Sequence, residues 1–562
     1  MSQQKFRLTG KYTRNFGIMS GVGLVLLILG YVLSTSGGSG EGDHGGDHGD
    51  QHEVGAHDGA HSDAGTGEVF QYVNDQNGHG DGDHDGDSHD GDGHDGDGHD
   101  GDSHDGDSHH GDDHAKSDGE HDAGHDSEAH HGDEHGEGED HAAVGGADHG
   151  DGHGGAHEEG AHGGAHAGEH GGGHHAEDHI QNGTWRRAKV YPEQYTMVHH
   201  DKEVTPMSLF GASILGGTFF WFIVALFGVF FIAVGYLANA GWYIIFKRIL
   251  ENYYRFLPIA GVLLLVTFFV FGDALYEWYH LEVGVDKLID GKRGFLNVVF
   301  ILITMVLLIA AWTFLGHLFK KASLKEESEG GLTWYNKSMR YSAIFMPLFA
   351  LGFVTCSFLW IMSIDAHWFS TIFGVYCFAG LFVSGMTITM FISVHLHDKG
   401  HIKLSGNQMH DVGKFMFAFS VFWAYIWVSQ YLLIWYANIP EETVYYYQRL
   451  ENYQLLFALN VVINFVFPFI ALMTRKAKRE FASLRSVGRV MLVGRFLDIY
   501  LLIAPGVLGS EGGMAPMMMM FGAFLLIGGV FLWVVFKGFE DAPLLATKHP
   551  YYQESIHHDT GV

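Results

Sequence analysis

Residues 209–236 read LFGASILGGTFFWFIVALFGVFFIAVGY and contain no charged side chain. As an α-helix, a run of this length crosses the ~30 Å hydrocarbon layer of a membrane, because each residue adds about 1.5 Å. In lipid the segment must be helical, since its backbone N–H and C=O groups find no water there. Nine further apolar runs follow the same pattern: 16–34, 256–275, 295–319, 342–364, 368–394, 413–437, 455–473, 487–504 and 515–537. The sequence therefore predicts an all-α integral membrane protein with about ten spans.

The distribution of Lys and Arg predicts the orientation of these spans. Lys5, Arg7, Lys11 and Arg14 precede the first span, and basic residues next to a span favour the cytoplasmic side. Ten spans then place both termini inside, and the dense basic cluster at 475–489 falls on a cytoplasmic segment as the rule requires. We expect a multi-pass protein of the bacterial cytoplasmic (inner) membrane.

The first span is predicted to be an uncleaved anchor. Its apolar core is long for a secretory signal, although the small residues at 34–36 would suit a cleavage site. The chain then divides into four parts: a cytoplasmic N-terminus and anchor helix (1–35), a periplasmic linker (36–185), a polytopic helical domain of about nine spans (186–540) and a cytoplasmic C-terminal tail (541–562).

The predicted linker has an extreme composition. Residues 40–179 hold 29 His and 40 Asp and Glu but a single basic residue, Lys116. The whole chain carries a net charge of −32, so the residues outside this stretch are net basic. So few apolar side chains cannot offset the entropy of ordering, which predicts a disordered, His-rich periplasmic insert. Weak metal or proton buffering by its His and carboxylate groups is the alternative to a solvated linker.

Polar side chains in or beside the spans are the candidate functional residues, because an ionisable group is costly in a membrane. Arg495 and Asp498 are three residues apart and share a helix face. Either these two form a structural ion pair, or they belong to a proton route. Asn460 and Asn464 also share a face, where hydrogen bonds between helices are the alternative role. The candidate proton route comprises Asp273, Asp365, His367, Gln430, Asn460, Asn464, Arg495 and Asp498.

The turn SIDAHWFS at 363–370 joins the fifth and sixth spans on the predicted outer side. Asp365 and His367 stand two residues apart among aromatic side chains. One interpretation is a helix cap within an interfacial aromatic belt. The other is a contact site for protons or for a quinone head group.

Histidine and cysteine positions limit the cofactors of this chain. No His lies in the middle of a span, which disfavours a haem held by two His and a zinc or nickel transporter. The two cysteines, Cys356 and Cys377, form neither a C-x-x-C-H motif nor a cluster. We therefore expect no cofactor and no metal in this chain. We also expect no nucleic-acid partner.

Two segments carry a family resemblance. They are FLWIMSIDAHWFSTIFG at 358–374 and HDVGKFMFAFSVFWAYIWVSQYLLIWYANIPEE at 410–442. Both resemble the ActF-type membrane subunit of bacterial alternative complex III, a quinol:cytochrome c oxidoreductase. The resemblance extends from about residue 185 to the C-terminus and includes LIDGK at 288–292 and APLLA at 542–546. In that family Pro often stands between the Asp and the His of the turn, where this chain has Ala366.

The resemblance implies a fold, partners and a role. ActF-type subunits are similar to NrfD-like membrane proteins, with two four-helix bundles plus extra helices. The partners implied are an NrfD-like ActC-type subunit, multihaem cytochromes c, an iron–sulfur protein and membrane lipid, with a terminal oxidase as a further candidate. Haem c and iron–sulfur clusters would belong to those partners, and quinone to the neighbouring subunit. This chain would support quinol oxidation and conduct protons. A purely structural scaffold and a cation transporter with a metal-buffering loop are the alternatives.

Overall fold

The structure is a computed structural model that describes residues 6–36, 70–71, 186–187 and 204–560. The contact pattern separates residues 71–186 from the remainder of the chain. Only Gln71 and Arg186 of that unit are described. The predicted disorder of the linker 36–185 therefore falls almost entirely outside the described residues.

The described body is helical. Its α-helices are α1 (Gly10–Ser36), α2 (Pro206–Leu237), α3 (Ile244–Leu250), α4 (Leu257–Leu275), α5 (Lys287–Lys292), α6 (Val298–Glu329), α7 (Thr333–Trp360), α8 (Phe373–Asp398), α9 (Gly406–Ala437), α10 (Pro440–Asn452), α11 (Gln454–Val461), α12 (Phe467–Ala471), α13 (Arg475–Arg479), α14 (Phe481–Leu508), α15 (Met514–Gly538) and α16 (Tyr552–Ile556). A π-helix at Val462–Val466 joins α11 to α12, and short 3-10 segments lie at Tyr253–Phe256, Glu277–Tyr279, Met362–Ile364 and Gly509–Glu511. The strands β1 (Phe70–Gln71) and β2 (Arg186–Arg187) have two residues each.

Ten helical segments among the described residues are long and apolar enough to cross a membrane. Each overlaps one of the ten runs found in the sequence, so the prediction of an all-α chain with ten such helices is confirmed. α2 and α8 are the most buried of these segments and lie at the centre of the helical body. α9 and the segment from α11 to α12 bury a third or less of their most apolar windows, which leaves apolar faces available to lipid.

The third span is longer than its apolar run. The sequence predicts a start at 256, whereas the helical segment begins with α3 and extends over Ile244–Leu275. The extension contains charged residues that a hydropathy pattern excludes from a span. Lys247 and Arg248 are buried in this extension, where they pair with Glu326 and Glu327 of α6.

The bundle of helices has two ends. The turn end carries the 363–372 segment between α7 and α8. The tail end carries residues 540–560, whose Glu540 accepts a hydrogen bond from the Leu8 N–H at 2.8 Å. Both described chain ends therefore lie at the tail end, as an even number of spans requires.

A short amphipathic helix, α10, connects two spans at the turn end. Asn438 ends α9 in the left-handed region (φ 48°), a conformation that Asn tolerates better than most residues. Pro440 then takes the first position of α10, where its missing N–H costs nothing. The buried face of α10 comprises Val444, Tyr445, Tyr446, Gln448 and Arg449. This face places polar side chains against the interior of the bundle.

Candidate functional site

The carboxylate of Asp498, on α14, is the centre of a buried polar network. Asp498 is 1% exposed and pairs with Arg495 through an Oδ2–Nη2 distance of 2.6 Å. Its Oδ1 atom accepts a hydrogen bond from the Asn460 side-chain amide at 3.0 Å and another from the Tyr376 hydroxyl. The network therefore joins α8, α11 and α14 through one charged group within the spans.

The π-helix positions the second asparagine of this network. Asn464 lies within it and donates to the Asn460 side-chain oxygen at 2.7 Å and to the Gly494 carbonyl at 2.9 Å. π-Helical turns are rare and are frequent at functional sites. The wider turn keeps both asparagines on the face that meets α14. Asn460 and Asn464 thus act together, as their spacing predicts.

Arg495 occupies a niche made by a glycine and a tryptophan. A Cβ atom on Gly380 would lie 2.4 Å from the Arg495 Nη2 atom, so any larger residue would displace the guanidinium. The Trp423 ring lies 5.4 Å from that guanidinium, within cation–π range. The Nε and Nη1 atoms of Arg495 have no hydrogen-bond partner among the described residues. Buried donors of this kind are normally satisfied by water.

A small cavity adjoins the network. It has a volume of about 20 Å³, enough for one water molecule. Its lining includes Tyr376 and Asn460 of the Asp498 network on one side, and Gln430, Tyr446 and Arg449 on the other. Gln430 donates to the Tyr446 hydroxyl at 3.1 Å. The cavity therefore connects the Asp498 network with the polar face of α10.

Arg449 extends the polar chain to the turn end. It donates to Asp365 at 3.2 Å and to the backbone carbonyls of Leu501 and Tyr445 at 3.2 and 2.7 Å. The guanidinium lies 3.4 Å from the centre of the Tyr445 ring, which stacks on Trp368 at 3.8 Å. Asp365 and Arg449 are both buried, so each needs the other as its counter-charge.

His367 belongs to a different contact. Its Nε2 atom bonds Asp286, and its Nδ1 atom lies 3.9 Å from Glu277, both residues of the segment between α4 and α6. Burial alone would raise the pKa of Asp286. The His367 bond and the N–H groups of Leu288 and Ile289 outweigh burial and lower the pKa below its usual value. The turn thus separates Asp365 and His367, because Asp365 pairs with Arg449 of α10 whereas His367 contacts the segment between α4 and α6.

Most of the residues predicted as a proton route meet in this site. Six of them lie in or beside the connected network: Asp365, Gln430, Asn460, Asn464, Arg495 and Asp498. His367 points away from it, and Asp273 is exposed on α4 and joins neither contact. The sequence reasoning missed Tyr376, Tyr446 and Arg449. The amphipathic pattern of α10 after Pro440 was the available signal for two of them.

A second buried charge cluster lies at the tail end, and the sequence reasoning missed it entirely. Lys247 of α3 bonds Glu326 of α6 at 2.9 Å, and Glu251 lies within 3.7 Å of the charged groups of Lys247, Arg248 and Lys320. All five residues are at most 3% exposed. Hydropathy assigned the α3 residues to a loop because it does not consider pairing between distant segments.

The C-terminal tail covers this cluster. Thr547 donates to Glu327 at 2.6 Å, and Ser555 bonds both the Ile245 N–H and the Trp242 carbonyl at 3.0 Å. His549 lies between Thr547 and Ser555 in the tail and is 4% exposed. Burial, together with the nearby charges of Lys247 and Arg248, lowers the pKa of His549 to about 2. His549 is therefore neutral at any physiological pH.

Neither cluster has the composition of a metal site. Within the described part of the chain, no three His, Cys, Asp or Glu side chains are placed to hold a metal ion.

No protein-family model matches the chain, and no curated protein is found to match it. Assignment to a family is therefore a proposal, supported by residues 358–374 and 410–442.

Proposed function

We propose that this chain is a non-haem, multi-pass subunit of a respiratory quinol:electron-acceptor oxidoreductase of the alternative complex III type. It resides in the bacterial cytoplasmic membrane with both termini inside and the His-rich insert in the periplasm. It supports the quinol-oxidising subunit and conducts protons through the Asp498 network. An NrfD-like arrangement of two helix bundles belongs to the same proposal.

One observation carries the proton role. The Asp498 carboxylate is buried within the spans, and its partners Tyr376 and Asn460 line a cavity large enough for one water molecule that leads to Gln430, Tyr446 and Arg449. A buried ionisable group is costly in a membrane and marks proton pathways in membrane proteins. In this proposal the Tyr376 hydroxyl, which donates to Asp498, and a water molecule in the cavity are the neighbouring proton carriers. The Arg449–Asp365 pair then leads to the turn end.

A structural scaffold is the second candidate, and a specific observation favours it. Asp498 accepts hydrogen bonds from Arg495, Asn460 and Tyr376 at once. The Arg495 guanidinium is both one of these three donors and the counter-charge of the carboxylate. In this alternative the ion pair holds α8, α11 and α14 together and carries no protons.

Replacing Asp498 by Asn distinguishes these two functions. The Asn side chain keeps the shape and its one oxygen can accept from Asn460 and Tyr376, but its amide nitrogen cannot accept from Arg495 and it cannot exchange a proton. The variant should be less stable, because Arg495 loses its counter-charge. We expect proton-coupled quinol oxidation, measured per assembled complex in membranes, to fall by about 10²-fold, the usual contribution of a positioned acid–base group. Asp273→Asn is the matched control, since Asp273 is an exposed carboxylate near the end of α4 and lies outside the network. Wild-type proton release by an assembled D498N complex would leave only the scaffold.

The family assignment has its own test. Affinity purification of the full chain from its native membrane should recover a multihaem cytochrome c, an iron–sulfur protein and a second polytopic subunit. Mass spectrometry identifies them, and the haem absorbance confirms the cytochrome. Recovery of the chain alone, from mild detergent and at wild-type expression, would contradict the assignment.

A further inference from the structure

A groove at the tail end lies outside both charge clusters. It has a volume of about 520 Å³, within the range of ligand-binding sites in proteins. Its walls come from the first turns of α9, from Trp242 beyond α2 and from residues 558–560 of the tail. The groove is thus formed only when the tail is in place.

One side of the groove is apolar. The ring of Phe415 stacks on Trp242 with centroids 5.6 Å apart and an interplanar angle of 18°. Ala418, one turn further along α9, is exposed in the groove. Phe419 continues the same face of α9 and stacks on Phe382 at 3.4 Å. This side suits a hydrocarbon chain that runs along the helix towards the membrane interior.

The other side is charged. Asp411 pairs with both Lys414 and His558, and Asp559 accepts a hydrogen bond from Asn407 at 3.1 Å. Arg475 of α13 reaches the Thr560 hydroxyl at 3.5 Å. The lining therefore presents charges of both signs, the carboxylates of Asp411 and Asp559 and the ammonium of Lys414, with Arg475 beside Thr560. A ligand that carries both a cation and an anion matches this arrangement better than one with a single charge.

We propose that the groove binds a zwitterionic phospholipid with a primary ammonium group, of the phosphatidylethanolamine class. The phosphate lies against the half-exposed ammonium of Lys414, and the lipid ammonium lies against Asp559. One acyl chain follows Trp242, Phe415 and Ala418. Because His558, Asp559 and the tail backbone form part of the site, the bound lipid also holds the tail against the bundle.

The test uses the full-length protein, stripped of lipid in detergent and returned to nanodiscs of phosphatidylcholine with a defined added lipid. We expect added phosphatidylethanolamine to raise the melting temperature and to be retained in native mass spectra. Lys414→Gln should weaken retention about tenfold, as the loss of one charge-assisted hydrogen bond predicts. Ala418→Trp should block the acyl chain without changing the charges. Lys476→Gln, which replaces an exposed lysine of α13 outside the groove, is the matched control.

Comparison of phosphatidylethanolamine with other added compounds shows which part of the lipid the groove recognises. Phosphatidylglycerol should bind more weakly than phosphatidylethanolamine, because it lacks the ammonium that faces Asp559. Inorganic phosphate and free phosphoethanolamine should give no thermal shift, because they lack the acyl chain. Equal retention of the two phospholipids, or unchanged retention in both groove variants, would overturn the proposal.

Discussion

Arg449 and Asp365 form a buried ion pair between residues 84 positions apart in the chain, with an Nη2–Oδ2 distance of 3.2 Å. The pair fastens the amphipathic helix α10 to the turn between α7 and α8. It also closes the cavity beside Asp498 at the turn end. Arg449 is thus both a structural contact of α10 and the group that links the polar chain to Asp365 in the turn.

Loss of one partner of this pair should destabilise the protein strongly. Asp365→Asn leaves the Arg449 guanidinium buried without a counter-charge, which costs about 3–5 kcal/mol. Thermal unfolding in detergent measures the effect. Lys325→Gln breaks the exposed Lys325–Glu329 pair and should leave the unfolding temperature nearly unchanged, because solvent screens this pair. Adding Arg449→Gln to Asp365→Asn should recover part of the loss, and strictly additive costs would contradict the pairing.

The tail-end cluster should depend on Glu251 more than on any other member. Glu251 faces three cations, those of Lys247, Arg248 and Lys320. Glu251→Gln leaves these charges with too few carboxylates and should speed hydrogen exchange throughout α3 and the tail. Glu329→Gln removes an acid from the exposed end of α6 and should leave exchange in both segments unchanged. Equal protection in the two variants would show that the cluster contributes no stability.

Docking of the tail should weaken as the pH falls. The pKa of His549 is about 2 in the folded chain, below the usual value of 6.5. Between these values the undocked tail binds a proton that the docked tail does not, so docking is favoured above pH 6.5 and weakens below it. Lowering the pH from 7 to 5 costs about 2 kcal/mol of docking free energy. Hydrogen exchange of residues 544–556, corrected for its intrinsic pH dependence, measures this loss. His549→Phe removes the titrating group and should abolish this difference between pH 7 and pH 5.

The first helix should depend on a glycine contact for its place in the bundle. A Cβ atom on Gly23 of α1 would lie 2.4 Å from the Leu526 backbone nitrogen of α15, and one on Gly522 would lie 2.4 Å from the Leu27 nitrogen. Backbones that approach this closely tolerate only glycine. Gly23→Leu should therefore separate α1 from α15. The measurement is the loss of cross-linking between one cysteine introduced into each of the two helices. Gly21→Leu, on the open face of α1, should retain the cross-link.

The sequence predicted part of the candidate site for a simple reason. Arg495 with Asp498, and Asn460 with Asn464, are spaced to share a helix face, and helical periodicity is a local property. Arg449 was missed because its partner is 84 residues away. The separation of His367 from Asp365 was equally hidden, since both lie in one turn and only packing against α5 and α10 decides their directions.

The sequence by itself determined the membrane character of this protein, because an uncharged run such as 209–236 is long enough to span lipid and must be helical there. Ten such runs were therefore recognisable from hydropathy alone. Only the tertiary structure decided which charges are buried. Lys247 and Glu326 are polar by every hydropathy measure, yet they lie in the interior, because each neutralises the other across helices distant in sequence. A charged side chain is buried beside a partner of opposite charge, and the tertiary structure determines which side chains become partners.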